Sequence, residues 1–234
     1  MNLEGDQTNN HAQAEVAYRA IRRAILQCDL GPGEQVSEVQ LAGSYGFGRA
    51  AVRAALTRLS HDGLVQAIPR RGYAIAPITF KNVQDLFGVR LIVEPATARL
   101  AATRADNAVV ADLERLNEAS AHVPGREDLA ALREANKAFH VAVARISGND
   151  RLAEIANRVL DELDRVLYLK QVGVVWDRVD ATFTEHQRII DALKIRDPRA
   201  AEQAAYDHIV PNQRGVIDAL IASPGLRSIN LVTV

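Results

Sequence analysis

Residues 48–72, GRAAVRAALTRLSHDGLVQAIPRRG, constrain this chain more than any other stretch. On a helical wheel Arg53 falls about 40° from Arg49 and Thr57 about 80° from it. Val52, Ala55, Leu56 and Leu59 fill the neighbouring arc. One face can therefore pack on a core while the other shows two guanidiniums one turn apart. A helix lying in the DNA major groove needs that division, because arginine reads guanine edges bidentately and also grips phosphate. Arg58 lies roughly opposite Arg49 and is not counted as a base reader. The residues that follow read as a two-strand wing whose tip, Arg70, Arg71 and Gly72, would reach the minor groove or the backbone. From Arg49 to Arg71 there are five arginines and a single acid, Asp62, so the positive charge is local.

The preceding residues complete a motif. Ala17, Ile21, Ala24 and Ile25 have the apolar spacing of a first helix, which Leu30-Gly31-Pro32-Gly33 stops. Ser37 can cap a second helix carrying Glu38, Leu41 and Ala42. Gly46 and Gly48 then allow a tight turn into the arginine helix. Helix, helix, turn, helix and two short strands make a winged helix-turn-helix. A solvated surface helix is the competing reading of Arg49 and Arg53, and the turn and wing in register weigh against it.

Composition sets the outer limits. A chain of 234 residues with 48% hydrophobic content can build one large or two small domains. The single cysteine, Cys28, rules out an intrachain disulfide framework and fits a reducing cytosol. No apolar run approaches the roughly 20 residues of a membrane span. The polar residues 1–12 read as a disordered tail without a secretory signal, and residues 224–234 as a second tail.

After Pro77 helical patterns take over, at about 80–103, 107–121, 126–147, 150–172, 178–195 and 198–222. Asp106-Asn107, Pro124-Gly125, Gly148-Asn149-Asp150, residues 173–177 and Asp197-Pro198 separate them. The fold class is therefore mainly α: a winged helix-turn-helix at residues 13–78, then an all-α antiparallel bundle at 79–223. The short linker between them suits mechanical coupling. Three histidines, His140, His186 and His208, each fall inside a different predicted helix, and Asn136 shares a face with His140. If those helices face one another, three imidazoles and one oxygen donor make a metal site. Taken singly, each histidine is more often an ordinary core or surface residue, and spacing across three helices does not prove convergence.

Two resemblances extend these readings. Residues 15–78 resemble the DNA-binding domain of the GntR family, through Leu30-Gly31-Pro32-Gly33, Ser37-Glu38-Val39-Gln40-Leu41-Ala42, Gly46-Phe47-Gly48-Arg49, Val52-Arg53-Ala54-Ala55-Leu56, Gly63-Leu64-Val65 and Arg71-Gly72. The chain departs from the family pattern at Gly48, where a capping serine is usual, and at Ala50, Ala51 and Ala54. These losses should weaken the helix start by roughly 0.5–1 kcal/mol, or less where glycine is tolerated as the cap. Residues 80–222 resemble the FCD-type ligand-binding domain of the FadR subfamily, in the six-helix subgroup of vanillate- and sugar-acid-responsive regulators. Arg90-Leu91-Ile92-Val93-Glu94-Pro95, Phe139-His140 with Ser147-Gly148-Asn149, Glu185-His186 with Ile189, and His208 carry that likeness.

The resemblance implies a divalent metal, zinc first with nickel or manganese as alternatives, on Asn136, His140, His186 and His208. Asparagine stands where aspartate is common, so the ion keeps its full charge: metal affinity should fall and attraction for an anion should rise. Arg90 and Tyr168 are the candidate effector contacts. The expected function is a homodimeric, cytoplasmic transcription regulator on a palindromic double-stranded operator, more often repressing than activating. A small carboxylate bound at the metal would change operator affinity, with Arg49, Arg53, Thr57, Arg70, Arg71 and Gly72 facing the DNA. Two alternatives stand beside it: a regulator for which the ion itself is the signal, and a DNA-tethered metalloenzyme. The last lacks an HExxH helix, a phosphate-cradling glycine loop and a nucleophile elbow.

Overall fold

The structure, a computed structural model, describes residues 3–121, 129–168 and 179–222. The chain divides into two compact units at Ile78/Thr79. The first holds α1 (Leu3–Leu26), β1 (Gln35–Val36), α2 (Glu38–Tyr45), α3 (Arg49–His61), β2 (Val65–Ile68) and β3 (Gly72–Ile75). Ile21 and Ile25 of α1, Leu41 of α2, and Val52, Leu56 and Leu59 of α3 close its core, together with Val36 and Ile75. Ser37 caps α2 by accepting from the Gln40 amide (3.1 Å), and Gly46 ends it in the left-handed region at φ 69°. Gly48 caps α3 with no side-chain hydrogen bond, as its identity requires.

Two features of this unit differ from expectation. The residues expected as a tail are helical from Leu3 onward. Once the packed turns around Ala17 and Ile21 nucleate a helix, each added residue extends it at little cost, and a polar extension leaves no apolar period to read. The wing is also three-stranded, in the order β1-β3-β2, with Val36 opposite Tyr73 and Val65 opposite Ile75. A two-residue strand carries no alternation of its own, so only its pairing with β3 reveals it.

The second unit holds α4 (Phe80–Ala102), α5 (Asn107–Ala121), α6 (Leu129–Ile146), α7 (Asp150–Tyr168), α8 (Val179–Lys194) and α9 (Pro198–Ala222). These helices match the expected ones within three residues wherever both ends are described. The expected breaks at Pro124-Gly125 and 173–177, and the C-terminal tail, lie outside the described residues. Thr79 and Asn82 form a reciprocal capping box at the start of α4. Asp197 accepts from the Arg199 and Ala200 amides, both at 3.0 Å, and so caps α9 ahead of Pro198. Ala98, Leu113, Phe139, Ile190, Leu193 and Ala205 form the main core. α4 packs along α9 and also against α6 and α7; α5 packs on α6 and α8. The packing puts α4, α5, α6, α8 and α9 around one buried polar centre.

A second polar seam joins α6 and α7. Lys137 pairs with Asp161, and Arg133 donates to the Leu167 carbonyl at 3.2 Å. Burial pushes the nearby Asp164 carboxyl up to about 7, against the pull of Lys137. The folded chain therefore keeps a proton that an unfolded carboxylate releases at about pH 4. Between those values folding stability falls as pH rises. Asp164→Asn, neutral throughout, should melt higher than the parent at pH 8, with the gap closing toward pH 4 in thermal scans.

Candidate functional site

The buried centre of the second unit is a histidine triad. His140 comes from α6, His186 from α8 and His208 from α9; one ring nitrogen of each lies within 4.8 Å of the others. All three side chains are buried. Phe139, the residue before His140, stacks on the His186 ring at 4.0 Å between centroids and 14° between planes.

Each imidazole is held by its outer nitrogen. His140 Nδ1 lies 2.9 Å from Glu94 of α4, His208 Nδ1 lies 2.9 Å from Glu185 of α8, and His186 Nδ1 lies 3.2 Å from Asn117 Oδ1 of α5. The Asn117 orientation is fixed independently, because its amide nitrogen donates to the Phe183 carbonyl at 3.1 Å. Its oxygen therefore faces His186. All three partners are acceptors, so each Nδ1 carries the hydrogen and each Nε2 turns a lone pair elsewhere. His140 Nε2 and His186 Nε2 meet at 3.3 Å. Two lone pairs at that distance repel unless a proton or a cation lies near both.

A proton fits poorly on His186 or His208. Burial drives the His186 imidazole well below its ordinary value, helped by His208, His140 and Arg90. Burial also lowers His208 to about 4, against the opposing hydrogen bond from Glu185. A divalent cation fits better: neutral imidazole nitrogens, each ordered by an outer acceptor, are the donor set of zinc, nickel, copper or iron sites.

Glu94 anchors this arrangement. Burial alone would push its carboxyl up, but Arg90 and His140 outweigh that cost and hold it well below the usual carboxylate range. Arg90 donates to Glu94 from both Nε and Nη2. This pair is buried, so Arg90 is neither a surface salt bridge nor a guanidinium with all its donors open to an effector. Tyr168, the last residue of α7, lies under the Arg133 guanidinium, 3.7 Å from ring centroid to carbon. Asn136 is half-buried one turn before His140 and makes no hydrogen bond to the three rings among the described residues. Asn212, one turn beyond His208 on α9, also approaches the triad, with Nδ2 3.4 Å from His208 Nε2.

Asn117 and Asn212 escaped the sequence reading, and Glu185 entered it only as part of the family likeness, without a role. Glu185 adjoins His186 in sequence yet holds His208, because adjacent residues on a helix point about 100° apart.

In the first unit α3 exposes Arg49 and Arg53 on one face. Thr57 donates its hydroxyl to the Arg53 carbonyl at 3.0 Å. Arg58 pairs with Glu15 and lies over the Tyr18 ring at 3.7 Å, clamping α3 to α1. Arg70 and Arg71 form the exposed wing tip, where Arg70 adopts φ 63°. Gly72 has φ 94°, and a Cβ there would meet the Val36 carbonyl oxygen at 2.7 Å. Glycine is thus required for β1 to approach β3, whatever else it touches.

The two halves match known families in that order. Residues 13–75 match bacterial regulatory proteins of the gntR family, and residues 85–210 match the FCD domain. This chain belongs to the GntR family. It is 30% identical to the HTH-type transcriptional regulator YdhC of Bacillus subtilis, over 82% of this chain and 85% of that one. It is 28% identical to the transcriptional repressor RspR of Escherichia coli, over 82% and 83%. In solved structures, E. coli McbR/YncC shares the fold at 16% identity with TM-score 0.77, covering 88% of this chain and 97% of that one. A GntR regulator from Rhodococcus sp. RHA1 does so at 23% identity with TM-score 0.73, over 89% and 99%. The protein is a DNA-binding transcriptional regulator with a GntR reading unit and an FCD effector unit, not an enzyme. Among the described residues no helix is long and apolar enough to cross a membrane.

An outer partner that sets an imidazole's tautomer and aim usually alters metal affinity about 10–100-fold when removed. Asn117→Ala should weaken binding of zinc by that factor in competition with a chromogenic chelator, while its far-ultraviolet circular dichroism matches the parent.

Proposed function

We propose that this regulator senses a small carboxylate through a divalent ion held by His140, His186 and His208. The observation that carries this reading is the convergence of three ring nitrogens, one from each of three helices, on imidazoles whose Nδ1 atoms are all held by acceptors. Asn136, as the family position implies, or Asn212, as its approach to His208 suggests, would supply an oxygen donor once its amide is turned. When bound, the ion supplies a positive centre, undiminished by a charged ligand, to which a carboxylate is drawn. Arg90 adds a fixed cation nearby, and its field already bears on His186 and His208.

The regulator would act as a homodimer on a palindromic operator, Arg49 and Arg53 reading each half-site and the wing touching the backbone or minor groove. Effector binding would alter operator affinity by favouring one arrangement of the bundle over another. Repression is the favoured sign, in line with the repressor among its relatives. The commitment of two Arg90 donors to Glu94 supports a second reading, in which the ion alone is the signal.

The wing supplies its own support. A non-glycine residue at φ 63° costs about 1–2 kcal/mol. Strain of this kind is often retained where a side chain has work to do. Arg70→Gly should therefore raise the chain's stability by about 1 kcal/mol yet weaken operator binding and flatten its salt dependence.

Metal content by mass spectrometry tests the central claim. Protein purified without chelator or added metal should carry one equivalent per chain, and His140→Ala should lose it. Operator affinity, followed by fluorescence anisotropy, should then respond to small carboxylates only in the metal-loaded parent. A response to metal addition that no carboxylate alters would select the second reading. A chain that binds no ion even when metal is added would refute both.

A further inference from the structure

The two exposed arginines of α3 are not equivalent. Arg49 has no hydrogen-bond or ion-pair partner among the described residues, whereas Arg53 is held by an acid from the neighbouring helix. Arg53 Nε donates to Glu38 Oε1 and Arg53 Nη2 to Glu38 Oε2, both at 2.8 Å. This is the planar, two-bond fit of guanidinium to carboxylate, stronger and more directional than a single contact. The pair is rooted at the acid: the Glu38 side chain is 18% exposed and that of Arg53 61%. Glu38 itself is fixed, because Ser37 caps α2 and sets Glu38 in its first turn, where the helix dipole favours a carboxylate.

The geometry decides which part of Arg53 remains usable. A guanidinium has two edges bearing paired N–H groups, Nε with Nη2 and Nη1 with Nη2. Glu38 occupies the first. The second carries the parallel hydrogens that match guanine O6 and N7, and planarity turns it away from the carboxylate. A long side chain that must otherwise be ordered on binding is thereby ordered beforehand.

We propose that Glu38 is a positioning residue for base recognition: it braces Arg53 in one pose, end-on to the major groove, and so sets the preference for guanine at one base pair of each half-site. The proposal rests on the reading of Arg53 as a base contact. It has a second consequence. The Glu38 carboxylate faces the same surface as the DNA phosphates, so it disfavours binding to unrelated sequence. Glu38 improves discrimination from both sides, by sharpening the specific contact and by weakening the non-specific one. A brace and a plug make opposite predictions: a carboxylate that merely held Arg53 off the DNA would, once neutralised, tighten the specific complex.

The full chain is first used to select its operator from random duplexes. Fluorescence anisotropy then compares the parent, Glu38→Gln, Arg53→Ala and the double variant. The probes are the selected operator, duplexes with each half-site guanine replaced in turn, and an unrelated duplex. Arg53→Ala should abolish preference at one base pair. Glu38→Gln should lower preference at that same base pair on the order of tenfold, the share that one bidentate contact supplies. Its affinity for the unrelated duplex should equal or exceed the parent's, and the double variant should be no worse than Arg53→Ala alone. Matched melting temperatures for Glu38→Gln and the parent exclude a folding defect, which would depress both affinities together. If Glu38→Gln keeps the parent's base preference, or tightens the selected operator, the brace is overturned while the reading by Arg53 stands. If Arg53→Ala keeps the base preference, the reading head is misplaced and the brace falls with it.

Discussion

His140 Nε2 and His186 Nε2 meet at 3.3 Å while acceptors pin both Nδ1 atoms, and two imidazole lone pairs at that distance repel. That repulsion is the constraint on which the effector unit depends. Water could relieve it by donating hydrogen bonds, but burial of His186 and His208 leaves little room for exchange with solvent. Burial opposes protonation of His186 and His208. The fold instead invests in outer partners, Glu94, Asn117 and Glu185, which hold the rings in place at the expense of burying polar groups. Under the proposed function, a divalent ion drawing the three nitrogens together would stabilise this centre. Because its rings come from α6, α8 and α9 and their partners from α4, α5 and α8, a change at the centre reaches most of the bundle.

The first unit solves a different problem. A helix that presents arginines to DNA must be anchored entirely by its other face. Val52, Leu56 and Leu59 supply that anchor, and Arg58 adds a clamp onto Tyr18 and Glu15. The polar face is arranged as well. Arg53 is gripped by Glu38, Arg70 is held at a strained backbone angle, and Gly72 lets two strands meet where any Cβ would collide. Exposed arginines can thus be as closely specified as core residues, through ion pairs and backbone geometry rather than through packing.

Much of the architecture was legible because it rests on local rules. Apolar periodicity located α4 through α9, proline and glycine marked their ends, and Ser37, Gly46 and Asp197 announced caps that the structure contains. The helical stretch from Leu3 and the short strand β1 were missed for the same reason. One is polar throughout and the other is two residues long, so neither leaves a periodic trace. At the site, the three histidines could be named from the sequence but their meeting could not, since periodicity fixes a residue's face and not which faces meet.

The sequence by itself determined the order of the main helices, the division near residue 78, the amphipathic arginine helix and the three candidate histidines. These follow from backbone propensity and from the 3.6-residue period, both of which act over a few residues. Only the tertiary structure decided that His140, His186 and His208 share one centre, that Asn117 and Glu185 hold two of its rings, and that Glu38 pairs with Arg53. Each of those depends on contacts between side chains 15 to 69 positions apart. Direction and distance across a packed interior arise from how whole helices fit together, and no short stretch of sequence encodes that fit.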